Sequence, residues 1–368
     1  MDIAPFSLFL VSVQSIAQVL LLCLTGYVVA KLGIITSSIQ EGLSKLIIKI
    51  LMPCFLFSRI AANIDYEMLL RLWPIPVFYF FFTATSGILG VFGRKLFNLS
   101  ISNTKFMVTS IMFNNVASLS LGILKGMSDT SAMQILRWGE GDDPSNSIKR
   151  GTSYILLSTL FGNLLRWSLG AFLLKKELSE EILSGETPLL GTEGISHQRR
   201  RSLFSRVVKA VRGTLNPPLC SAMLALVVGT VPFLKFIFFN ERSPLATISK
   251  VMEYMGATYV PLTLITLGAH LNNLPHAKSQ EILPIIAYIM SCRFIIMPII
   301  GVVTILSTRT WYINDPMLLF VLMLFASGPT AINCMNLVQL TGTFKEEMAT
   351  LLFYSYIAVA PMTTCLVM

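Results

Sequence analysis

The sequence predicts an all-α polytopic membrane protein with ten transmembrane helices. Of its 368 residues, 54% are hydrophobic and 13% are charged, whereas roughly 25% of the residues of a soluble globular domain are charged. A helix that spans a bilayer needs about 20 mostly apolar residues, and the chain holds ten apolar runs suited to that role. Little polar sequence is left for a water-exposed domain, so the composition excludes an ordinary soluble enzyme.

The predicted helices follow one another closely, apart from one long polar stretch in the middle of the chain. Their ranges are 6–30, 43–62, 68–92, 105–125, 151–174, 215–238, 245–271, 281–307, 316–339 and 346–368. The first run has no Lys or Arg ahead of it and is too long for a signal-peptide core, so it is interpreted as a retained helix. Residues 175–214 combine Glu with a cluster of Arg and Lys, which predicts a polar linker. The chain therefore divides into a first five-helix repeat, 1–174, the linker, and a second five-helix repeat, 215–368.

Basic residues set the predicted orientation. The loops on the side of the linker carry more Lys and Arg than the opposite loops, mostly because of the linker itself. Basic loops stay on the cytosolic side, where anionic lipid attracts them. The linker is therefore predicted to be cytosolic and both termini non-cytosolic. The basic run 199–201 lacks interleaved aromatic residues and lies beside a span, which favours contact with the lipid bilayer over contact with nucleic acid.

Weak internal similarity supports two repeats of opposite orientation. An odd number of helices in each half forces the second half to insert upside down relative to the first. Pro74 and Gly90 of span three recur as Pro284 and Gly301 of span eight, at separations of 210 and 211 residues. The register therefore holds along the whole helix, as a duplicated unit would require.

Spans four and nine carry polar amides and helix-disrupting residues at mid-membrane depth. Span four contains Asn114 and Asn115, and span nine contains Pro329, Asn333 and Asn336. A proline inside a helix removes a backbone hydrogen bond, and the freed groups are tolerated in a bilayer only against protein or a wet cavity. Broken helices at matching positions of two halves are typical of a transporter's binding site. These five residues are the candidate substrate-binding residues.

Such a site would suit a carboxylate. Two half-helix N-termini direct positive dipole ends into the gap, and neutral amides supply hydrogen bonds. The alternative is that the amides only join helices by interhelical hydrogen bonds, as is common in membrane bundles. The paired disruption of both spans favours the binding site over this alternative.

Charged residues within or near spans are costly in lipid and are functional candidates by default. They are Lys49, Arg166, Glu253 and Arg293. Lys49 and Arg166 are equally compatible with side chains that snorkel to an interface. Arg293 lies near the centre of span eight and must face protein or water, as a counter-charge to substrate or as a partner of Glu253. His270 lies at the end of span seven, where a proton-relay role and simple solvation are the two alternatives.

The absence of other motifs narrows the class of protein. The sequence has no phosphate-binding loop, no H-E-x-x-H, no G-x-S-x-G and no dinucleotide-binding glycine pattern. The six cysteines have no metal-ligand spacing. We therefore expect no enzyme activity, no cofactor and no metal.

These features resemble the auxin efflux carrier (membrane transport protein) family, and within it the PIN-LIKES and fungal auxin-carrier-like members. The matching segments are 114–122 in span four, 328–333 in span nine, and 150–154 and 161–167 around span five. Family members commonly carry a proline in the crossover of span four, where this chain has Asn114, Ser120 and Gly122 instead. The resemblance covers nearly all ten spans but not the linker.

The resemblance implies a fold and a mechanism. Spans one, two, six and seven would form a scaffold that makes a homodimer, and spans three to five and eight to ten a mobile transport domain. Substrate would lie where broken helices four and nine cross, with the crossover amide roles assigned to Asn115 and Asn333 and the crossover proline to Pro329. The implied activity is elevator-type export of auxin-like aromatic carboxylates such as indole-3-acetate. The short linker and the PIN-LIKES branch favour the endoplasmic reticulum, with the plasma or vacuolar membrane as alternatives.

Two other hypotheses stay open at the level of sequence. The chain could carry a different small organic acid, or it could be a receptor or scaffold that binds a ligand without translocating it. Loss of flux in a folded Asn115→Ala or Asn333→Ala variant would favour the carrier. Binding without flux under any gradient would favour the receptor.

Overall fold

The computed structural model describes residues 3–115, 118–127, 132–138, 142–174, 216–243, 245–272 and 276–367. Within these ranges the chain is helical, and its only extended pairing is an isolated bridge between two residues. The predicted linker, 175–214, lies outside the described residues.

The described helices are labelled in chain order. In the first half they are α1 (Ile3–Lys31), α2 (Ser37–Asn63), α3 (Tyr66–Arg71), α4 (Pro74–Phe97), α5 (Ile101–Met112), α6 (Ser118–Gly126), α7 (Ala132–Ile135) and α8 (Pro144–Leu174). In the second half they are α9 (Pro217–Thr230), α10 (Pro232–Phe239), α11 (Ala246–Ala257), α12 (Tyr259–Asn272), α13 (His276–Ser291, continuing through Cys292–Ile296 and Met297–Thr308), α14 (Pro316–Ser327), α15 (Asn333–Thr341) and α16 (Lys345–Val367).

The membrane class of the fold is confirmed, whereas the count of ten spans stays a prediction. Four described helices are long and apolar enough to cross a bilayer: α2, α4, α8 and the Ile282–Thr308 part of α13. The pair α9 and α10 qualifies as a fifth if it is one span, although it bends by 105°. Other predicted spans are divided into shorter pieces, among them span four into α5 and α6, span seven into α11 and α12, and span nine into α14 and α15.

Helix starts follow local chemistry. Asp65, Ser100 and Asn216 each accept a hydrogen bond from the backbone N–H three residues ahead, at 2.7, 3.3 and 3.0 Å. Such caps satisfy N–H groups that have no partner inside the helix. The helices α4, α8, α9, α10 and α14 begin with proline, whose missing N–H is harmless in the first turn.

Glycines allow the closest helix contacts. A Cβ atom on Gly268 of α12 would lie 1.8 Å from the Cys23 carbonyl oxygen of α1, and one on Gly26 of α1 would lie 2.0 Å from the Ile265 carbonyl oxygen. Small residues at helix interfaces let membrane helices approach each other directly. The α1–α12 pair therefore depends on both glycines. Similarly close packing joins α2 to α9 and α11, α4 to α5, and α13 to α14.

An ion-pair network joins the starts of α8 and α14. The Arg150 Nε donates to Asp315 Oδ2 at 2.8 Å, and an Arg150 terminal nitrogen donates to Asp142 Oδ2 at 2.8 Å. The Tyr154 hydroxyl donates to the same Asp315 oxygen at 2.7 Å. Asp315 is 0% exposed, and its charge is stabilised by these partners and by the Met317 N–H, which donates to Oδ1 at 2.9 Å. The network holds α8 and α14 together.

Candidate functional site

Two interruptions of the helical chain meet in the middle of the protein. The first separates the end of α5 at Met112 from the start of α6 at Ser118, and the second separates the end of α14 at Ser327 from the start of α15 at Asn333. They fall within predicted spans four and nine. The first contains Asn114 and Asn115, and the second contains Pro329, with Asn333 and Asn336 in the first turn of the helix that follows it.

The two interrupted segments pair with each other in antiparallel fashion. Asn114 is bridged to Thr330. Two backbone hydrogen bonds accompany the bridge, from the Asn115 N–H to the Pro329 carbonyl at 2.8 Å and from the Ala331 N–H to the Phe113 carbonyl at 2.9 Å. Backbone groups outside a helix need such partners in a membrane, because hydrocarbon supplies none. Pro329 therefore both ends the helical pattern and supplies a carbonyl that joins the two halves.

Arg293 of α13 joins the ends of two helices. Its Nε donates to the Gly328 carbonyl at 2.9 Å and a terminal nitrogen donates to the Ile111 carbonyl at 3.1 Å. These carbonyls lie at the C-terminal ends of α14 and α5, where a cation complements the negative end of the helix dipole. Arg293 is 2% exposed. It has these carbonyls as partners, and the ion pairs of the described chain do not join it to Glu253, which is exposed on α11.

Arg166 lies against the interrupted segment of span four. It is 5% exposed, so its side chain is enclosed by protein, which favours the functional alternative over snorkelling. One terminal nitrogen donates to Asn163 Oδ1 at 3.1 Å and the other to the Asn114 carbonyl at 3.2 Å, while the guanidinium lies 5.7 Å from the centre of the Phe113 ring. Its Nε and the Asn163 Nδ2 have no hydrogen-bond partner. No Asp or Glu among the described residues forms an ion pair with Arg166.

A small cavity opens between these groups. Its volume is about 50 Å³. It is lined by Phe55, Asn115, Thr159, Gly162, Asn163, Arg166, Tyr259, Val260, Ala331, Ile332 and Asn333. At about 10–15 Å³ for each water, the cavity holds a few waters, and it is well below the roughly 300–1,000 Å³ of sites for drug-sized ligands. The cavity in this structure is therefore the size of a few water molecules.

The five predicted amide and proline residues divide between several environments. Asn115 and Asn333 line the cavity, and Asn115 Nδ2 also donates to the Tyr356 hydroxyl. Asn114 lies elsewhere: its Nδ2 donates to the Phe325 carbonyl, and its side chain borders a separate water-sized void beside Arg293.

A tyrosine that the sequence did not single out joins the two amides of α15. The Tyr259 hydroxyl donates to Asn333 Oδ1 at 2.9 Å and accepts from Asn336 Nδ2 at 2.9 Å. Asn336 is fully buried, and its Oδ1 has no hydrogen-bond partner. Asn163 is the second residue that the sequence did not single out. Its spacing from Arg166, which places both on one face of α8, was the available signal.

Comparison with known proteins places the chain among transporters. The family model described as membrane transport protein matches residues 11–367. The chain belongs to the membrane transport protein family. This family is the auxin efflux carrier family, so the resemblance seen in the sequence is confirmed.

Relatives of this membrane transport protein occur in fungi and plants. An uncharacterized transporter of Schizosaccharomyces pombe is 25% identical over 98% of this chain and 94% of its own length. An uncharacterized transporter of Saccharomyces cerevisiae is 26% identical over 93% and 91%. Protein PIN-LIKES 1 of Arabidopsis thaliana is 24% identical over 95% and 76%. The similarity therefore extends over both halves of the chain.

The remaining predicted charged residues lie away from the small cavity. Lys49 is exposed and lines a larger cavity between the ends of α12 and α15. Glu253 is exposed on α11. Arg166 is thus the predicted charged residue that borders the cavity at the two interruptions.

Proposed function

We propose that this membrane transport protein is a secondary carrier of organic anions, in particular aromatic carboxylates such as indole-3-acetate. The observation that carries the proposal is a buried guanidinium, that of Arg166, which borders the cavity without an acidic partner in the described chain. An uncompensated buried charge is costly. A bound carboxylate would neutralise it.

The surroundings of Arg166 suit the same ligand. The Arg166 Nε and the Asn163 Nδ2 are donors without a partner, and hydrogen bonds between a donor cation and a carboxylate are among the strong ones. Asn333 begins α15 beside the cavity, so the positive end of that helix dipole also favours an anion. Apolar walls for the body of an aromatic acid are supplied by Phe55, Val260 and Ile332.

The architecture supports alternating access through two inverted repeats. The interrupted segments pair in opposite directions, as repeats of opposite orientation require. The matched glycines also pack alike: a Cβ on Gly90 would lie 2.8 Å from the Val108 Cα of α5, and one on Gly301 would lie 2.4 Å from the Ala326 Cβ of α14. Each glycine thus contacts the helix that precedes an interruption.

In this proposal α1, α2 and α9–α12 form the scaffold of a homodimer, and α4–α8 with α13–α16 move as an elevator. The repeats are 1–174 and 215–368, joined by the cytosolic linker 175–214, with both termini non-cytosolic. The membrane is an internal one, the endoplasmic reticulum. Since the cavity of about 50 Å³ is too small for an aromatic acid, binding of substrate requires the two groups of helices to separate around it.

The proposal is tested by uptake into proteoliposomes. The labelled panel contains indole-3-acetate, other aromatic carboxylates and malate, each with and without an imposed membrane potential, which acts on one charge with about 2.3 kcal/mol per 100 mV. We expect saturable, potential-sensitive uptake of an aromatic carboxylate that Asn115→Ala removes and that Glu253→Gln, on an exposed position, leaves intact. Saturable uptake unaffected by Asn115→Ala would contradict the site. Uptake of malate alone would favour a different organic acid, and binding without uptake would favour a receptor.

A further inference from the structure

A second and much larger cavity lies at one end of the helices. Its volume is about 710 Å³, within the range of ligand-binding clefts. It lies between the starts of α2, α9 and α16 and the ends of α12 and α15. We call this cavity the vestibule. Its lining residues include Gln40, Glu41, Lys45, Lys49, His270, Gln339, Lys345 and Glu346.

Counted over the residues that the structure describes, the lining of the vestibule carries a small excess of positive charge. Lys45 and Glu41 are both well exposed and form an ion pair at 2.7 Å. With Lys45 and Glu41 paired, the other charged residues of the lining are Lys49, Lys345 and Glu346, whose formal charges sum to one positive charge. Clefts lined by an excess of one charge raise the local concentration of ligands of the opposite charge. The vestibule therefore favours anions.

Polar residues of α12 lie between the vestibule and the small cavity, and the hydroxyls of Thr263 and Thr266 donate to the Tyr259 and Thr263 carbonyls of the same helix. Tyr259 lines the small cavity and His270 lines the vestibule. Thr263 and Thr266 lie between them on the same face, since spacings of four, seven and eleven residues return to one side of a helix. Eleven residues of helix correspond to about 16 Å at 1.5 Å per residue. This distance is the length of the connection.

These residues of α12 form one column of polar residues, and a second column faces them from α15. Asn333 lines the small cavity, Gln339 lines the vestibule, and Asn336 lies one turn from each. The Tyr259 hydroxyl contacts both asparagines, and His270 Nε2 lies 3.1 Å from Gln339 Nε2. We call the two columns, Tyr259–Thr263–Thr266–His270 and Asn333–Asn336–Gln339, the polar seam.

Unpaired polar atoms distinguish the polar seam from an ordinary helix interface. Asn336 Oδ1 and Gln339 Oε1 are buried and have no hydrogen-bond partner. Buried amide oxygens are nearly always paired with protein or with water, so both indicate a place for water or for a passing polar group. The polar seam contains no Asp or Glu, and it runs from Arg166 at the small cavity to Lys49 at the vestibule.

We propose that the polar seam is the route by which the anion passes between the vestibule and the small cavity, and that Tyr259 is its gate. This inference rests on the proposed function. The gate is closed in this structure, because one hydroxyl is shared by Asn333 and Asn336 and the Tyr259 ring packs against Phe55 at 5.0 Å. Opening requires the loss of these two hydrogen bonds. The vestibule is then an outer binding site for the same anion, and the positive charge of Lys49 attracts the anion to it.

The test uses an engineered thiol in the small cavity, beyond the gate as seen from the vestibule. Thr159 lines that cavity, so the full-length Thr159→Cys protein is treated with an anionic and with a neutral thiosulfonate reagent, and modification at position 159 is quantified by peptide mass spectrometry. Tyr259→Phe keeps the ring against Phe55 and removes the two hydrogen bonds. Because a neutral hydrogen bond contributes a factor of a few to about tenfold, we expect modification to become about tenfold faster. Tyr254→Phe, on a tyrosine that is 75% exposed, is the matched control and should change nothing.

The charge of the vestibule is tested separately. Lys49→Gln should slow modification by the anionic reagent several-fold and leave the neutral reagent unchanged, whether or not Tyr259→Phe folds. Equal modification rates in the parent, Tyr259→Phe and Lys49→Gln proteins would overturn the proposal, as would equal acceleration by Tyr254→Phe. None of these readouts needs transport. Failure of the route is therefore separate from failure of the carrier function, which is judged by uptake.

Discussion

We expect the replacement of Arg166 by glutamine to weaken the binding of a carboxylate while changing the stability of the fold little. Arg166 has two hydrogen bonds to the protein, to Asn163 and to the Asn114 carbonyl, and no acidic partner in the described chain. The glutamine side chain of the Arg166→Gln variant would be neutral and could keep one of these contacts. A hydrogen bond to a charged group contributes about 1.5–3 kcal/mol. We therefore expect the affinity for a carboxylate to fall roughly tenfold to a hundredfold.

The stability of the Arg166→Gln protein should change little, because the lost hydrogen bond to the Asn114 carbonyl is offset by the removal of a desolvated charge. The measurement is the thermal midpoint with and without indole-3-acetate, since a ligand that binds only the folded state raises that midpoint. Arg293→Gln is the matched control. It leaves the Ile111 and Gly328 carbonyls without their donor, so we expect a lower midpoint without ligand. An Arg166→Gln protein that is strongly destabilised but keeps the ligand-induced shift would refute the reasoning.

Three further predictions concern the cavity, a helix contact and an ion pair. Asn333→Ala removes a cavity-lining amide and the acceptor of a hydrogen bond at 2.9 Å, so proteoliposome uptake should be lost while size-exclusion profiles stay normal; normal uptake would contradict the role of this residue. Gly268→Val should abolish folded protein in detergent, because a Cβ there would lie 1.8 Å from the Cys23 carbonyl oxygen; a well-folded variant would show that α1 and α12 can separate. The hydrogen bond from Arg150 holds the pKa of Asp142 below its usual range. The ionised Asp142 therefore contributes fully to stability above the ordinary carboxyl pKa of about 3.9. This contribution decreases below that pH and is lost as the pH falls through the lowered pKa of Asp142 in the folded protein. The difference in thermal midpoint between wild type and Asp142→Asn should therefore shrink between about pH 7 and about pH 3, and a constant difference would contradict the assignment.

Features that depend on local sequence were predicted well. The interruption after Ser327 follows from Gly328 and Pro329, because proline cannot continue the hydrogen-bond pattern of a helix. The interruption after Met112 has no proline, and the cluster of Asn114 and Asn115 was its signal. Amides compete with the backbone for hydrogen bonds and are poor residues for a helix interior.

Features that depend on tertiary contacts were not predicted. Nothing in the local sequence indicates that Arg293 would bind the carbonyl ends of two helices from different halves, because those carbonyls come together only in the fold. The hydroxyl of Tyr259 is a similar case, since its partners are 74 and 77 residues away. The bend between α9 and α10 coincides with Pro232, which a window average of hydropathy does not register.

The central claim is that the cavity beside Arg166 binds the carboxylate of the substrate. The most direct measurement compares the uptake of labelled indole-3-acetate into proteoliposomes in competition with unlabelled indole-3-acetate and with the neutral analogue indole-3-acetamide. We predict that the acid competes at least about tenfold more strongly than the amide, as expected for loss of one charge-assisted hydrogen bond, and that this preference disappears in Arg166→Gln. Equal competition by the acid and the amide, or a preference that survives in Arg166→Gln, would contradict the claim.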